Sequence, residues 1–68
     1  MRLTLETDQE ADGRWLAEVP ELAGVVAYGA TRADAMVRAE ALALRVLAER
    51  LEHQEASPMP IQFSIAAE

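Results

Sequence analysis

The stretch Glu18-Val19-Pro20-Glu21-Leu22-Ala23-Gly24-Val25-Val26-Ala27-Tyr28-Gly29-Ala30-Thr31-Arg32-Ala33-Asp34-Ala35 constrains the fold more than any other part of the chain. Pro20 has no amide donor, so it suits a strand terminus or a turn and not a strand centre. Gly24 is able to supply a positive φ if that turn needs one. Val25 to Tyr28 is β-branched and aromatic, as strands prefer, and Gly29 is read as the stop of that strand. Thr31 then caps a helix, with Asp34 three residues on in a capping-box arrangement. The charge of Asp34 also suits the positive end of the helix. The order is strand end, tight turn, strand, glycine stop and capped helix.

The flanking segments complete the pattern. Arg2 to Thr7 alternates, with Leu3, Leu5 and Thr7 on one face, as a half-buried strand does. Asp8 to Gly13 is polar and ends in Asp-Gly, a hairpin signal. Arg14 to Val19 alternates again, with Trp15, Ala17 and Val19 facing one way. Three strands joined by short turns make an antiparallel meander. The helix is predicted from Arg32 to His53, rich in good helix formers and free of Gly and Pro, with a length of roughly 30 Å. Gln54 to Pro60 breaks it. Pro60 to Ile65 is predicted as a fourth strand, with Pro60 at its first position and Ile61, Phe63 and Ile65 on one face. The order βββαβ gives an α+β fold: an antiparallel three-stranded meander, one long helix and a fourth strand. A strand-helix-strand unit implies parallel pairing through a right-handed crossover.

The helix is more apolar than one sheet requires. At about 100° per residue, Ala35, Ala39, Leu42, Ala43 and Val46 form one stripe. Val37, Ala41, Leu44, Ala48 and Leu51 form a second on roughly the opposite side. Met36 and Leu47 lie between them, and Asp34, Arg38, Arg45, Glu49 and Glu52 form the polar sector. Val37, Leu44 and Leu51 recur every seven residues as a seam. A small domain has one sheet to cover, so the second stripe points to contact with another chain. The periodicity alone does not say which stripe faces the sheet.

The chain has 68 residues and no cysteine. A domain of this size buries only about 60% of its unfolded surface, and no disulfide supplements the core. Self-association is the remaining common route to stability, so a homodimer or homotetramer is expected. The formal charge of −6 argues against direct DNA or RNA binding, which rests on neutralising phosphates. It fits a basic protein partner, although acidity also serves solubility. There is no signal-peptide pattern and no apolar run of the ~20 residues needed to span a membrane. A cytoplasmic protein without membrane contact is expected.

Residues for catalysis are sparse. Ser57 and Ser64 are the only serines and His53 the only histidine, and their positions do not favour a nucleophile-base pair. His53 is expected to interact with the carbonyls at the helix end. Glu6, Asp8, Glu18 and Glu40 are the carboxylates to weigh for a two-metal nuclease site. Leu3 and Leu5 occupy the core-facing positions of the first strand, so these four read as solvated surface acids. No catalytic, cofactor-binding or metal-binding residue is assigned, and the chain is not expected to be an enzyme. Trp15 and Phe63 read as core. Tyr28 reads as a surface anchor at a strand end.

Gly13-Arg14-Trp15, Pro20-Glu21-Leu22-Ala23-Gly24, Val25-Val26-Ala27-Tyr28, Gly29-Ala30-Thr31 and Ala35 follow one another in an order that resembles the HicB antitoxin family. The resemblance covers roughly residues 1–53. It implies a reduced RNase H-like sheet with the last strand beside the first. It also implies a module that binds and sterically blocks a small basic mRNA-cleaving ribonuclease toxin of the HicA type. Many members continue into a C-terminal DNA-binding domain; here a single domain over 1–68 without one is expected. Val37, Leu44, Leu51, Tyr28 and Glu21 are the expected partner or oligomer contacts. Two other readings remain at this point: an orphan homo-oligomeric HicB-like domain, and a minimal metal-dependent nuclease.

Overall fold

The computed structural model describes residues 1–54, 57, 58 and 60–66. The elements are β1 (Arg2–Gln9), β2 (Trp15–Glu18), β3 (Val26–Gly29), α1 (Arg32–Glu52) and β4 (Gln62–Ile65). The fold is α+β. Its single sheet has the order β3-β2-β1-β4, antiparallel from β3 to β1 and parallel between β1 and β4. The expected meander forms, and the last strand lies beside the first. β3 and β4 therefore run parallel at opposite edges, and α1 carries the chain back across the sheet between them. Part of the expected break, residues 55, 56 and 59, lies outside the described residues.

Local chemistry sets each junction. At the first hairpin the Glu10 amide donates to Arg14 O at 2.7 Å and the Gly13 amide to Glu10 O at 2.9 Å. That encloses a three-residue loop whose last position is left-handed, and Gly13 fills it with φ 93°. Between β2 and β3 the Val19 amide donates to Val25 O at 3.0 Å and the Leu22 amide to Val19 O at 3.0 Å. Gly24, φ 82°, turns the chain there, and Leu22 folds back into the core. The Thr31 hydroxyl accepts from the Asp34 amide at 3.1 Å, capping α1 as its sequence predicts. At the other end the His53 amide donates to Glu49 O and the Gln54 amide to Leu51 O. The helix ends at Glu52, one residue earlier than expected, with His53 as its C-cap through its backbone.

The core is built from long side chains of the sheet and short ones of the helix. Leu3, Leu5, Ala17, Val19, Leu22 and Val25 are buried against Ala35, Ala39, Ala43 and Leu47. Three alanines on the buried face let the helix backbone approach the sheet closely, while leucines and valines rising from the strands fill the gap. Trp15, Ala27, Met36, Leu42, Val46 and Phe63 pack around this centre. The stripe beginning at Ala35 is therefore the one that faces the sheet.

Two expectations need correction. Gly29 does not stop β3 but is its last residue, paired with Trp15 and buried. The N-terminal turn of α1 lies directly on it, and only a residue without Cβ fits there. Pro60 is not the first residue of β4, which begins at Gln62; the Pro60 carbonyl instead accepts from the Met1 amine. Of the three apolar residues expected on one face there, Phe63 reaches the core, whereas Ile61 and Ile65 are exposed. The cause is the helix path: α1 lies over β3, β2 and β1 and does not extend over β4. Among the described residues no helix is long and apolar enough to cross a membrane.

Candidate functional site

Two exposed surfaces stand out, one on each side of the sheet. Directly opposed residues on neighbouring strands share a face, so the registers order the open side into rows. Asp8, Leu16 and Tyr28 form one row across β1, β2 and β3; Glu6, Glu18 and Val26 form the next. The β1 side of this face is acidic and the β3 side apolar. Tyr28 and Val26 are 44% and 41% exposed. Arg14 lies over the Tyr28 ring at 5.1 Å and is held by Asp12 at 2.8 Å. β4 pairs with β1 only as far as Leu5, and a cleft of about 600 Å³ beside the uncovered part of β1 includes Glu6, Asp8, Leu16 and Glu18 in its walls.

The second surface belongs to the helix. Val37, Leu44 and Leu51 are 69%, 44% and 40% exposed, as a seam facing away from the sheet would be. Between this seam and β4 runs a groove of about 400 Å³, lined by Leu5, Met36, Val37, Glu40, Ala41, Leu44, Phe63 and Ile65. It exists because α1 leaves β4 uncovered. Sequence reasoning had no access to the groove, since it depends on where the helix crosses the sheet. Leu16 and Val26 on the open face were also missed. The alternation of β2 does point Leu16 away from Ala17, and an apolar residue on a polar face was the available signal.

The four carboxylates weighed for metal chemistry do not share a site. Glu6, Asp8 and Glu18 lie on the open face, whereas Glu40 borders the helix groove across the sheet. Among the described residues no group of three or more His, Cys, Asp or Glu is placed to hold a metal ion.

Glu21 has a structural partner. Its Oε1 accepts from the Thr4 amide at 3.0 Å and its Oε2 from the Thr4 hydroxyl at 2.7 Å. Extending the β1–β2 register places Pro20 opposite Thr4. The turn there takes β2 away from the ladder, and the Glu21 side chain supplies the missing acceptor. The amide and hydroxyl of Thr4, in that order, hold the Glu21 carboxyl below the ordinary value of 4.5. Arg14 does the same for Asp12, first through its backbone amide and then through its side chain. A carboxyl whose folded pKa is lowered stabilises the fold above its unfolded pKa and loses that contribution as pH falls through the folded value. Thermal melts of Glu21→Gln should therefore show a lower Tm than wild type at neutral pH and a shallower decline on acidification below the carboxylate range. Parallel Tm-against-pH curves would refute the Glu21–Thr4 clamp.

No protein-family model, no curated protein and no solved structure matches this chain.

Proposed function

We propose that this chain is a binding module of the antitoxin type, which masks a small basic ribonuclease by covering it. The observation that carries this reading is the open sheet face, where Glu6, Asp8 and Glu18 lie beside Leu16, Val26 and Tyr28. Acids on one half steer a basic partner and tyrosine on the other half anchors it, a combination found in interfaces with a polar rim and an aromatic centre. The net charge of −6 acts in the same direction. The resemblance to HicB proteins supplies the class of partner, and the four-stranded mixed sheet with one crossing helix is compatible with the reduced RNase H-like scaffold it implies. No covalent step is needed: inhibition is steric, and the partner's RNA-binding surface is the part covered.

Glu6 and Glu18 are directly opposed like charges, which destabilises a sheet. Glu18→Lys turns that repulsion into attraction, so the variant keeps its fold. A tagged wild-type chain drawn from its native lysate at low salt should retain a small basic protein whose ribonuclease activity the complex restrains. Glu18→Lys combined with Asp8→Lys should release that protein while leaving the far-UV circular dichroism intact. Undiminished retention by the double variant, or recovery of the chain with only its own copies, would overturn the reading.

A further inference from the structure

We propose that α1 pairs antiparallel with α1 of a second copy of this chain, through the seam of Val37, Ala41, Leu44, Ala48 and Leu51. The steps along this seam are 4, 3, 4 and 3 residues, the spacing of a heptad in which one position is small and the other large. Self-pairing in parallel sets large against large and alanine against alanine. Antiparallel pairing sets Leu44 against Ala48 of the second copy and Ala41 against Leu51 of the second copy, so each layer between positions 41 and 51 is one large and one small residue, with Val37 at the end of the overlap. Ala41 is also a wall of the groove between α1 and β4. Leu51 of the second copy, placed on Ala41, enters that groove and meets Phe63 and Ile65. Ile65 is 59% exposed in the single chain, and this contact covers it.

The charges at the end of the overlap suit this orientation. The flank of the seam away from β4 carries Arg38 and Arg45, followed by Glu49 and Glu52 in the last turns of α1. In this antiparallel register the flank lies against the same flank of the second copy: Arg38 falls near Glu52 of the second copy, and the two Arg45 side chains meet near the dyad with Glu49 of each copy beside them. Asp34 falls beyond the overlap and stays with its own helix N-terminus. The helix macrodipoles also oppose each other in this arrangement. Both grooves open on the same side of the helix pair, so each copy receives one leucine and gives one. The acidic face of the sheet remains uncovered.

Sedimentation equilibrium tests this on the full chain. The wild type should sediment as a dimer at tens of micromolar. Leu44→Asp should raise the dissociation constant by about two orders of magnitude or more, with the helical circular dichroism unchanged because Leu44 is not part of the buried core. Orientation is read by cross-linking, since the chain has no cysteine of its own. Leu44→Cys mixed with Ala48→Cys should give the mixed disulfide dimer on oxidation. A monomeric wild type, a Leu44→Asp dimer as tight as wild type, or disulfides formed only between identical variants would overturn the proposal.

Discussion

Gly29→Ala is expected to destabilise the domain by about 3 kcal/mol, the upper end of the usual range for forcing a methyl group into a packed site. A Cβ at this position would stand 2.6 Å from the Ala35 amide nitrogen, 2.8 Å from Asp34 Cβ and 3.0 Å from the Asp34 carbonyl carbon. Two of these atoms are backbone and cannot swing aside as a side-chain tip can. The first turn of α1 has to lift, which strains the Thr31 cap on the Asp34 amide and the bond from Arg32 Nε to Thr7 Oγ1. The cost arises from space and not from conformation, because Gly29 is not among the glycines with positive φ. A domain of this length holds roughly 3–10 kcal/mol in total, so the variant sits close to its unfolding limit. Urea titration should show the midpoint falling by about 2–3 M, given an m-value of about 1 kcal/mol/M. An unchanged midpoint would mean that the helix start is not seated on β3.

Leu3→Ala should cost a similar amount, about 3 kcal/mol. Leu3 is fully buried on β1, the strand held between β2 and β4, and its register partner on β4 is Phe63. The helix cannot move in to fill the cavity with side chains, since the residues it buries near the strands are mainly alanines. Val37→Ala is the contrasting case. Its side chain is far more exposed than any core residue, so the isolated chain should unfold at nearly the wild-type urea concentration. Loss of stability at Val37 equal to that at Leu3 would contradict the assignment of the inner and outer faces of α1.

Much of this architecture was legible in the sequence because its signals are local. The Thr31 cap, the Gly13 and Gly24 turns and the alternation of β1 and β2 each depend on a few neighbouring residues, and each forms where those residues predict. The inner stripe of α1 could not be distinguished from the outer one by period, since both recur at helical spacing. Packing decides it, and the small side chains go inward. Pro60 is compatible with a strand start, but pairing with β1 begins only at Gln62. Gly29 looked like a breaker because the sequence shows the missing side chain and not the helix that needs its absence. Glu21 shows the same limit: its link to Thr4 spans the turn and depends on Pro20 leaving the ladder.

The parallel pairing of β1 with β4 joins segments far apart in sequence, Leu3 to Phe63 and Leu5 to Ile65. During synthesis β1 emerges well before β4, one of its two neighbours in the sheet. β1, β2 and β3 can zip through short hairpins as soon as they emerge, and α1 can settle on them, but one side of β1 stays without its ladder until β4 has emerged as well. Pairing β4 with β1 is a non-local contact whose closure entropy is reduced once α1 has docked and brought the chain back across the sheet. The last step in folding is therefore expected to be capture of β4, with the meander and helix already assembled as its template.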